Sequence, residues 1–162
     1  MSAGRSNERL RVEAKFRVEA KRRHRAGLPM TSSNAQGPPE SSDVKGLRVV
    51  LVEDSWHVGF GLKNLLLAWG VDVDGPVATA ADAERLISKH VPDLAIVDLN
   101  LRGGEAAYDL IDRLHEQGVR VIVMTGYSQV QLAPGKAAAI LHKPFGDEQL
   151  IATLHRVTKR AT

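Results

Sequence analysis

The chain has no cysteine in its 162 residues, which excludes disulfides, thiolate nucleophiles and thiolate metal sites. No apolar run approaches the ~20 residues that a membrane-spanning helix needs. The opening stretch, MSAGRSNERL, lacks the apolar core of a secretory signal, and Glu8, Glu13 and Glu19 argue against an organelle transit peptide. A soluble, cytoplasmic protein is expected. Uniform positive charge is also missing, although the pI is near 9.4. Residues 1–27 carry nine Lys/Arg against three acids and the remaining chain thirteen against sixteen, so a +6 segment precedes a body of −3. The basicity belongs to the tail, and the body shows no electrostatic footprint for nucleic acid.

What is present falls into three parts. Residues 1–27 hold a short echo, RVEAKF then RVEAKR, whose apolar positions recur every second residue and so make no single helical stripe. A solvated basic helix is the ordinary reading, and an arm touching a membrane surface, RNA or a partner is the sharper one. Residues 28–46 are rich in Gly, Pro, Ser and Asn and read as a flexible linker. From 47 to 160 the pattern becomes one domain.

That domain alternates strand with helix. LRVVLVED is an apolar strand, followed by a helix with Ser55 as cap, Val58, Leu62, Leu65, Leu66 and Trp69 at helical spacing, and Gly70 as its stop. VDVDGPVA alternates polar with apolar and suits an edge strand. Thr79 with Asp82 opens a second helix as a capping box. LAIVD, VRVIVMT and AAAILHK are three further strands, Gly118 closes a third helix, and Asp147 caps a last one. Five βα units imply a parallel sheet covered on both faces. The first, third and fourth strands are the most continuously apolar and belong in the middle. The fold class is therefore α/β, a flavodoxin-like doubly wound sheet of order 2-1-3-4-5.

Such a sheet binds ligands beyond the carboxyl ends of its strands, where the first and third strands part. Glu53 and Asp54 stand at the first end, Asp98 at the third, Thr125 at the fourth and Lys143 at the fifth. Each has an ordinary reading by itself: Asp54 or Ser55 as a helix cap, Asp98 as a cap or turn residue, Thr125 as turn chemistry, Lys143 as a solvated surface group. Their convergence on one rim favours a site. Three carboxylates within a few ångströms repel, and Lys143 offsets only one charge. A hard divalent cation balances the rest, and all-oxygen ligation suits Mg²⁺ better than zinc, for which no Cys or clustered His pair is at hand.

On Glu53–Asp54, Asp98, Thr125 and the HKPF element with Lys143–Pro144, in this order and spacing, residues 47–160 resemble a response-regulator receiver domain of bacterial two-component signalling. The resemblance implies that Asp98 is the phosphoacceptor, taking a phosphoryl group from a kinase phosphohistidine. It implies that Asp54 holds Mg²⁺ directly and Glu53 through water, with Asp98 and the Asn100 backbone carbonyl completing the ligands. Lys143 would contact a phosphoryl oxygen across a cis bond to Pro144, and Thr125 would donate its hydroxyl to the acyl phosphate. Asn100 and Tyr127 occupy positions that tune autodephosphorylation. The implied partners are a sensor histidine kinase or histidine phosphotransfer protein and a downstream protein, with the chain a monomer or weak dimer. No enzyme activity is implied beyond its own Mg-dependent phosphorylation and dephosphorylation.

The chain departs from that family at its output surface. Ile140 stands where receivers carry an aromatic, and the span GYSQVQLAPGKA leaves room for one or two helical turns at most. The fourth helix is expected to be shortened or a loop that orders on phosphorylation or partner binding. Thr125-Gly126-Tyr127 partly matches a subgroup of single-domain receivers with a short fourth helix and a Thr-Gly-aromatic motif, although Val123-Met124 replaces the rest of its signature. Trp56 and His57 could line the site mouth or meet the kinase, His142 reads as structural, and Gly103–Gly104 as a loop. The leading expectation is a stand-alone receiver, signalling by protein contact or draining phosphate from a shared kinase. The alternatives are a phosphorylation-independent interaction module, a metal-dependent phosphotransferase or phosphatase, for which position 100 lacks the second acid, and a nucleic-acid binder working through residues 1–27.

Overall fold

A computed structural model describes residues 41–101 and 105–159. The readings of residues 1–27 as a basic helical tail, of 28–40 as linker and of Gly103–Gly104 as a loop lie outside the described residues. Five strands, β1 Arg48–Val52, β2 Asp72–Val77, β3 Leu94–Asp98, β4 Arg120–Thr125 and β5 Ala139–His142, form one sheet in the order β2-β1-β3-β4-β5. All four pairings are parallel. The helices are α1 Trp56–Ala68, α2 Ala80–Lys89, α3 Glu105–Glu116 and α4 Asp147–Lys159. This is the doubly wound arrangement read from the sequence.

Alternation along the strands builds a core on each face. Val50, Val52, Ala95, Val97, Val121 and Val123 join Ala83, Ile87, Leu110 and Ile111 of α2 and α3. Val49, Leu51, Ile96, Ile122 and Met124 join Leu66 of α1 and Leu150 and Leu154 of α4. The three central strands are buried on both faces, which is why they read as unbroken apolar runs. Thr79 accepts from the Asp82 N–H and its hydroxyl donates to Asp82 Oδ2, completing the expected cap of α2. Gly70 and Gly118, at φ +80 and +77, end α1 and α3 as read.

Several local expectations change. Ser55 occupies the N-cap position of α1 but makes no side-chain cap; its backbone N–H instead donates to Glu53 Oε1 at 2.9 Å. Asp147 begins α4 and does not cap it, while the Gly146 N–H donates to Gln149 Oε1 at 3.1 Å. In the first turn the Asp147 carboxylate still favours the positive end of the helix dipole. Trp69 is only partly buried against the core, and Val58, in the first turn of α1, is exposed. The last part of the stretch read as linker packs on the domain: Ser41–Val44 form a 3-10 turn, Val44 is fully buried, and the Gly46 N–H donates to the Gly70 carbonyl at 2.8 Å.

The span between β4 and β5, expected to be a shortened helix or a loop, is a loop: the described residues hold no helix there. Pro134 brings no N–H to a helical ladder, and Gly135 sits at φ +86. Val130, Leu132 and Ala137 pack against the core in loop form, so the segment covers apolar surface without helical bonding.

The edge strand carries a feature that sequence pattern did not show. The β1–β2 register shifts between Val50 and Val52, Gly75 sits at φ +105, and the Gly75–Pro76 peptide is cis. A Cβ on Gly75 would stand 2.5 Å from the Leu51 carbonyl oxygen, which only glycine avoids. By contrast, a Cβ on exposed Gly61, inside α1, would meet nothing within 4 Å. The two glycines therefore respond oppositely to alanine. Gly75→Ala is expected to destabilise by about 3 kcal/mol and Gly61→Ala to stabilise by about 1 kcal/mol, with thermal or urea unfolding of both variants as the check.

Candidate functional site

The chain leaves β1, β3 and β4, and enters the loop after β5, on one rim of the sheet. The short β1–α1 connection places Glu53 and Asp54 there, and the Glu53 N–H is fixed by the Val77 carbonyl at 2.9 Å. β3 ends on Asp98 and β4 on Thr125. The Lys143 N–H donates to the Thr125 carbonyl at 2.7 Å, continuing the β4–β5 ladder by one residue. The Lys143–Pro144 peptide is cis, as the resemblance implied.

Side chains that are distant in sequence meet at this rim. One carboxylate oxygen each from Glu53, Asp54 and Asp98 lie within 4.8 Å of one another. Lys143 Nζ donates to Glu53 Oε2 at 2.9 Å and to Asp98 Oδ2 at 2.7 Å. The other oxygens of these two acids take backbone donors, the Ser55 N–H on Glu53 Oε1 at 2.9 Å and the Asn100 N–H on Asp98 Oδ1 at 3.0 Å. Glu53 and Asp98 are each 3% exposed and Thr125 is fully buried. Asp54 is half-buried.

Electrostatics follow from that crowding. Burial pushes the Glu53 carboxyl above its ordinary value of 4.5; hydrogen bonds from Lys143 and the Ser55 N–H offset part of this, and the charge of Asp98 adds to it. For Lys143, burial works against the charge, but hydrogen bonds to Asp98 and Glu53 and their negative charges outweigh it and hold the ammonium above the usual lysine range. The donors available to a metal are all oxygens, the chemistry of a hard cation such as Mg²⁺.

The remaining sequence candidates lie around this cluster. Ile140 is 39% exposed on β5. Trp56 is 66% exposed and stacks on Phe60, ring centroids 5.5 Å apart, while His57 lines a groove with Lys143, Pro144 and Phe145. Sequence reasoning named Asn100 and Tyr127 in other roles and Ser55 as a cap, and missed the backbone contacts that all three make. The Ser55 and Asn100 N–H groups hold the acids through backbone atoms, which no side-chain pattern reveals. Tyr127 donates its N–H to Thr125 Oγ1 at 3.0 Å, and its carbonyl lies 3.0 Å from His142 Nδ1. The closeness of His142 to Lys143 was the one signal for that contact.

In metal-free buffer, Lys143→Met leaves two buried carboxylates without their cation and is expected to destabilise by about 2 kcal/mol at neutral pH. Glu53 has a folded pKa above its unfolded one, so the folded chain binds that proton more tightly and stability falls as pH rises from 4.5 through the raised value. Removing Lys143 raises it further. The gap between variant and wild type should therefore narrow as the buffer is taken into the acid range, followed by chemical denaturation at each pH.

Comparison with known proteins identifies the family. Residues 49–155 match the response regulator receiver domain family. The virulence transcriptional regulatory protein PhoP of Salmonella typhimurium is 32% identical over 120 residues, covering 70% of this chain and 53% of that protein. The transcriptional regulatory protein PdtaR of Mycobacterium tuberculosis is 27% identical over 132 residues, covering 76% of this chain and 63% of that one. The chain thus spans about half the length of the PhoP proteins it matches. Among solved structures, the receiver domain of Erythrobacter litoralis PhyR superposes with TM-score 0.61 at 24% identity, covering 70% of this chain and 90% of that one. A CheY-like receiver from Methylobacillus flagellatus gives TM-score 0.61 at 23% identity, covering 70% and 99%. These structural likenesses speak to fold alone. With the family match spanning most of the described chain, this protein belongs to the response regulator receiver domain family.

Proposed function

We propose that Asp98 accepts a phosphoryl group from the phosphohistidine of a sensor kinase or histidine phosphotransfer protein, and that the domain passes the signal on by protein contact or drains phosphate from a shared kinase. The observation that carries this reading is the position of Asp98: a nearly buried carboxylate whose Oδ2 lies 2.7 Å from Lys143 Nζ, with the acids of β1 beside it. In the transfer the P–N bond breaks, a P–O bond forms on Asp98, and the imidazole leaves. The work of the protein is positioning and charge cancellation. Lys143 stands beside Asp98, where its ammonium can meet an equatorial phosphoryl oxygen. The Asn100 N–H on Oδ1 orients the carboxylate. Thr125 presents a hydroxyl that can donate to the acyl phosphate.

Glu53, Asp54, Asp98 and the Asn100 carbonyl are the groups that would hold Mg²⁺. Bound there, Mg²⁺ supplies the positive charge that three carboxylates and an incoming phosphoryl group lack. Catalysis is confined to the domain's own phosphorylation and dephosphorylation. A cytoplasmic location fits an acceptor of kinase phosphate, and among the described residues no helix is long and apolar enough to cross a membrane. The helix-free β4–β5 span and Thr125-Gly126-Tyr127 support placement with the receivers of short fourth helix. The same span and Ile140 favour one second reading, a receiver fold that docks on its partner regardless of phosphorylation.

Incubation with acetyl phosphate and Mg²⁺ separates the two. Intact-mass measurement should show a gain of one phosphoryl group in the wild type and none in Asp98→Ala, and a wild type without gain moves the assignment to the second reading. Mg²⁺ at about a hundred times its Kd should also stabilise the fold by about 2.7 kcal/mol, seen as a rise in Tm that Asp54→Ala abolishes.

A further inference from the structure

The carboxyl ends of β4 and β5 are joined by a frame of hydrogen bonds outside the cluster itself. Tyr127 is held from two sides, its N–H on Thr125 Oγ1 and its carbonyl on His142 Nδ1, both at 3.0 Å. A carbonyl only accepts, so Nδ1 carries the proton in this contact. The Lys143 N–H closes the frame on the Thr125 carbonyl at 2.7 Å, and Lys143 Nζ reaches Asp98. The segment beyond Tyr127 has no helix to hold it, and its packed residues, Val130, Leu132 and Ala137, come later in the chain. The start of the loop thus rests on one bond to a buried residue at the site and one to an exposed residue on β5. β5 alternates buried with exposed, so Ile140 and His142 share a side, and Ile140 has no hydrogen-bonding atom.

We propose that His142 is a positioning residue that holds the β4–β5 loop in its resting arrangement through the Tyr127 carbonyl, against the pull of Thr125 when Asp98 is phosphorylated. The inference rests on the reading of Asp98 as phosphoacceptor. A hydroxyl offers one donor and two acceptor sites, so Thr125 can donate to the acyl phosphate while keeping the Tyr127 N–H. As Oγ1 turns toward Asp98 it draws Tyr127 along and away from His142. The loop is then a two-state element whose resting state owns one extra hydrogen bond.

The test compares wild type, His142→Ala and His142→Asn as full chains, by amide NMR with and without beryllofluoride and Mg²⁺, and by the rate of phosphorylation from acetyl phosphate. His142→Ala should move the amides of residues 126–133 toward their beryllofluoride-bound positions before any ligand is added. It should be phosphorylated about fivefold faster, the factor one ordinary hydrogen bond is worth. His142→Asn restores a donor and should return both readouts toward wild type. A merely structural histidine would lower Tm without directing the loop to the activated positions. Loop amides that stay at wild-type positions in His142→Ala, or a rate no faster than wild type, overturn the proposal. If wild type itself neither takes a phosphoryl group nor responds to beryllofluoride, the phosphoacceptor reading falls. The tether, which rests on that reading, then falls with it, whereas a wild type that responds to beryllofluoride while the loop amides of His142→Ala do not shift toward the activated positions overturns the tether alone.

Discussion

A single ammonium group, Lys143 Nζ, stands between carboxylates from two other strands, and the arrangement of the rim depends on it. Glu53 and Asp98 are both nearly buried, and Lys143 is the cation whose hydrogen bonds they share. The residue types suit the strand order. β3 and β5 are separated by β4, so about 9.5 Å of sheet lies between them. Lysine, with its four-carbon stem, spans what a shorter side chain could not. Asp98 sits at the end of its own strand and needs little reach, while Glu53, just past the end of the neighbouring β1, has a side chain longer by one methylene.

The same contact ties chemistry to the frame at the ends of β4 and β5. Lys143 meets Asp98 with its side chain and Thr125 with its backbone, so whatever alters charge on Asp98 is felt at two adjoining strand ends. Packed cores deform little, and a loop bonded at few points is where such a change can be expressed. Between β4 and β5 a helix would have satisfied its own backbone and behaved as a rigid body. Here a loop with three partly buried apolar anchors takes its place, which suits a switch that works by exchanging hydrogen bonds.

Much of the fold was legible because a doubly wound sheet writes itself into sequence in two ways. Strands buried on both faces appear as unbroken apolar runs, and the edge strand as an alternating one, so LAIVD and VDVDGPVA already imply their positions. The rim acids and Lys143 were legible because polar residues ended those apolar runs. Ser55 shows where such reading stops. Its type and place suit a helix cap, yet its backbone N–H serves Glu53, and the side chain makes no cap. The β1–β2 register shift at Gly75 was equally hidden, because it arises from a close approach of two backbones.

By itself, then, the order of residues determined which strands are central, which residues reach the carboxyl rim and that acids outnumber the one lysine there, since these follow from hydrophobic period and charge count. Only the tertiary structure decided which oxygen of each acid faces Lys143, that backbone N–H groups of Ser55 and Asn100 hold the others, that residues 126–138 form no helix, and that His142 grips the Tyr127 carbonyl. The physical reason is that main-chain donors and acceptors are the same at every residue, so their partners are chosen by packing in three dimensions and leave no mark in composition or spacing.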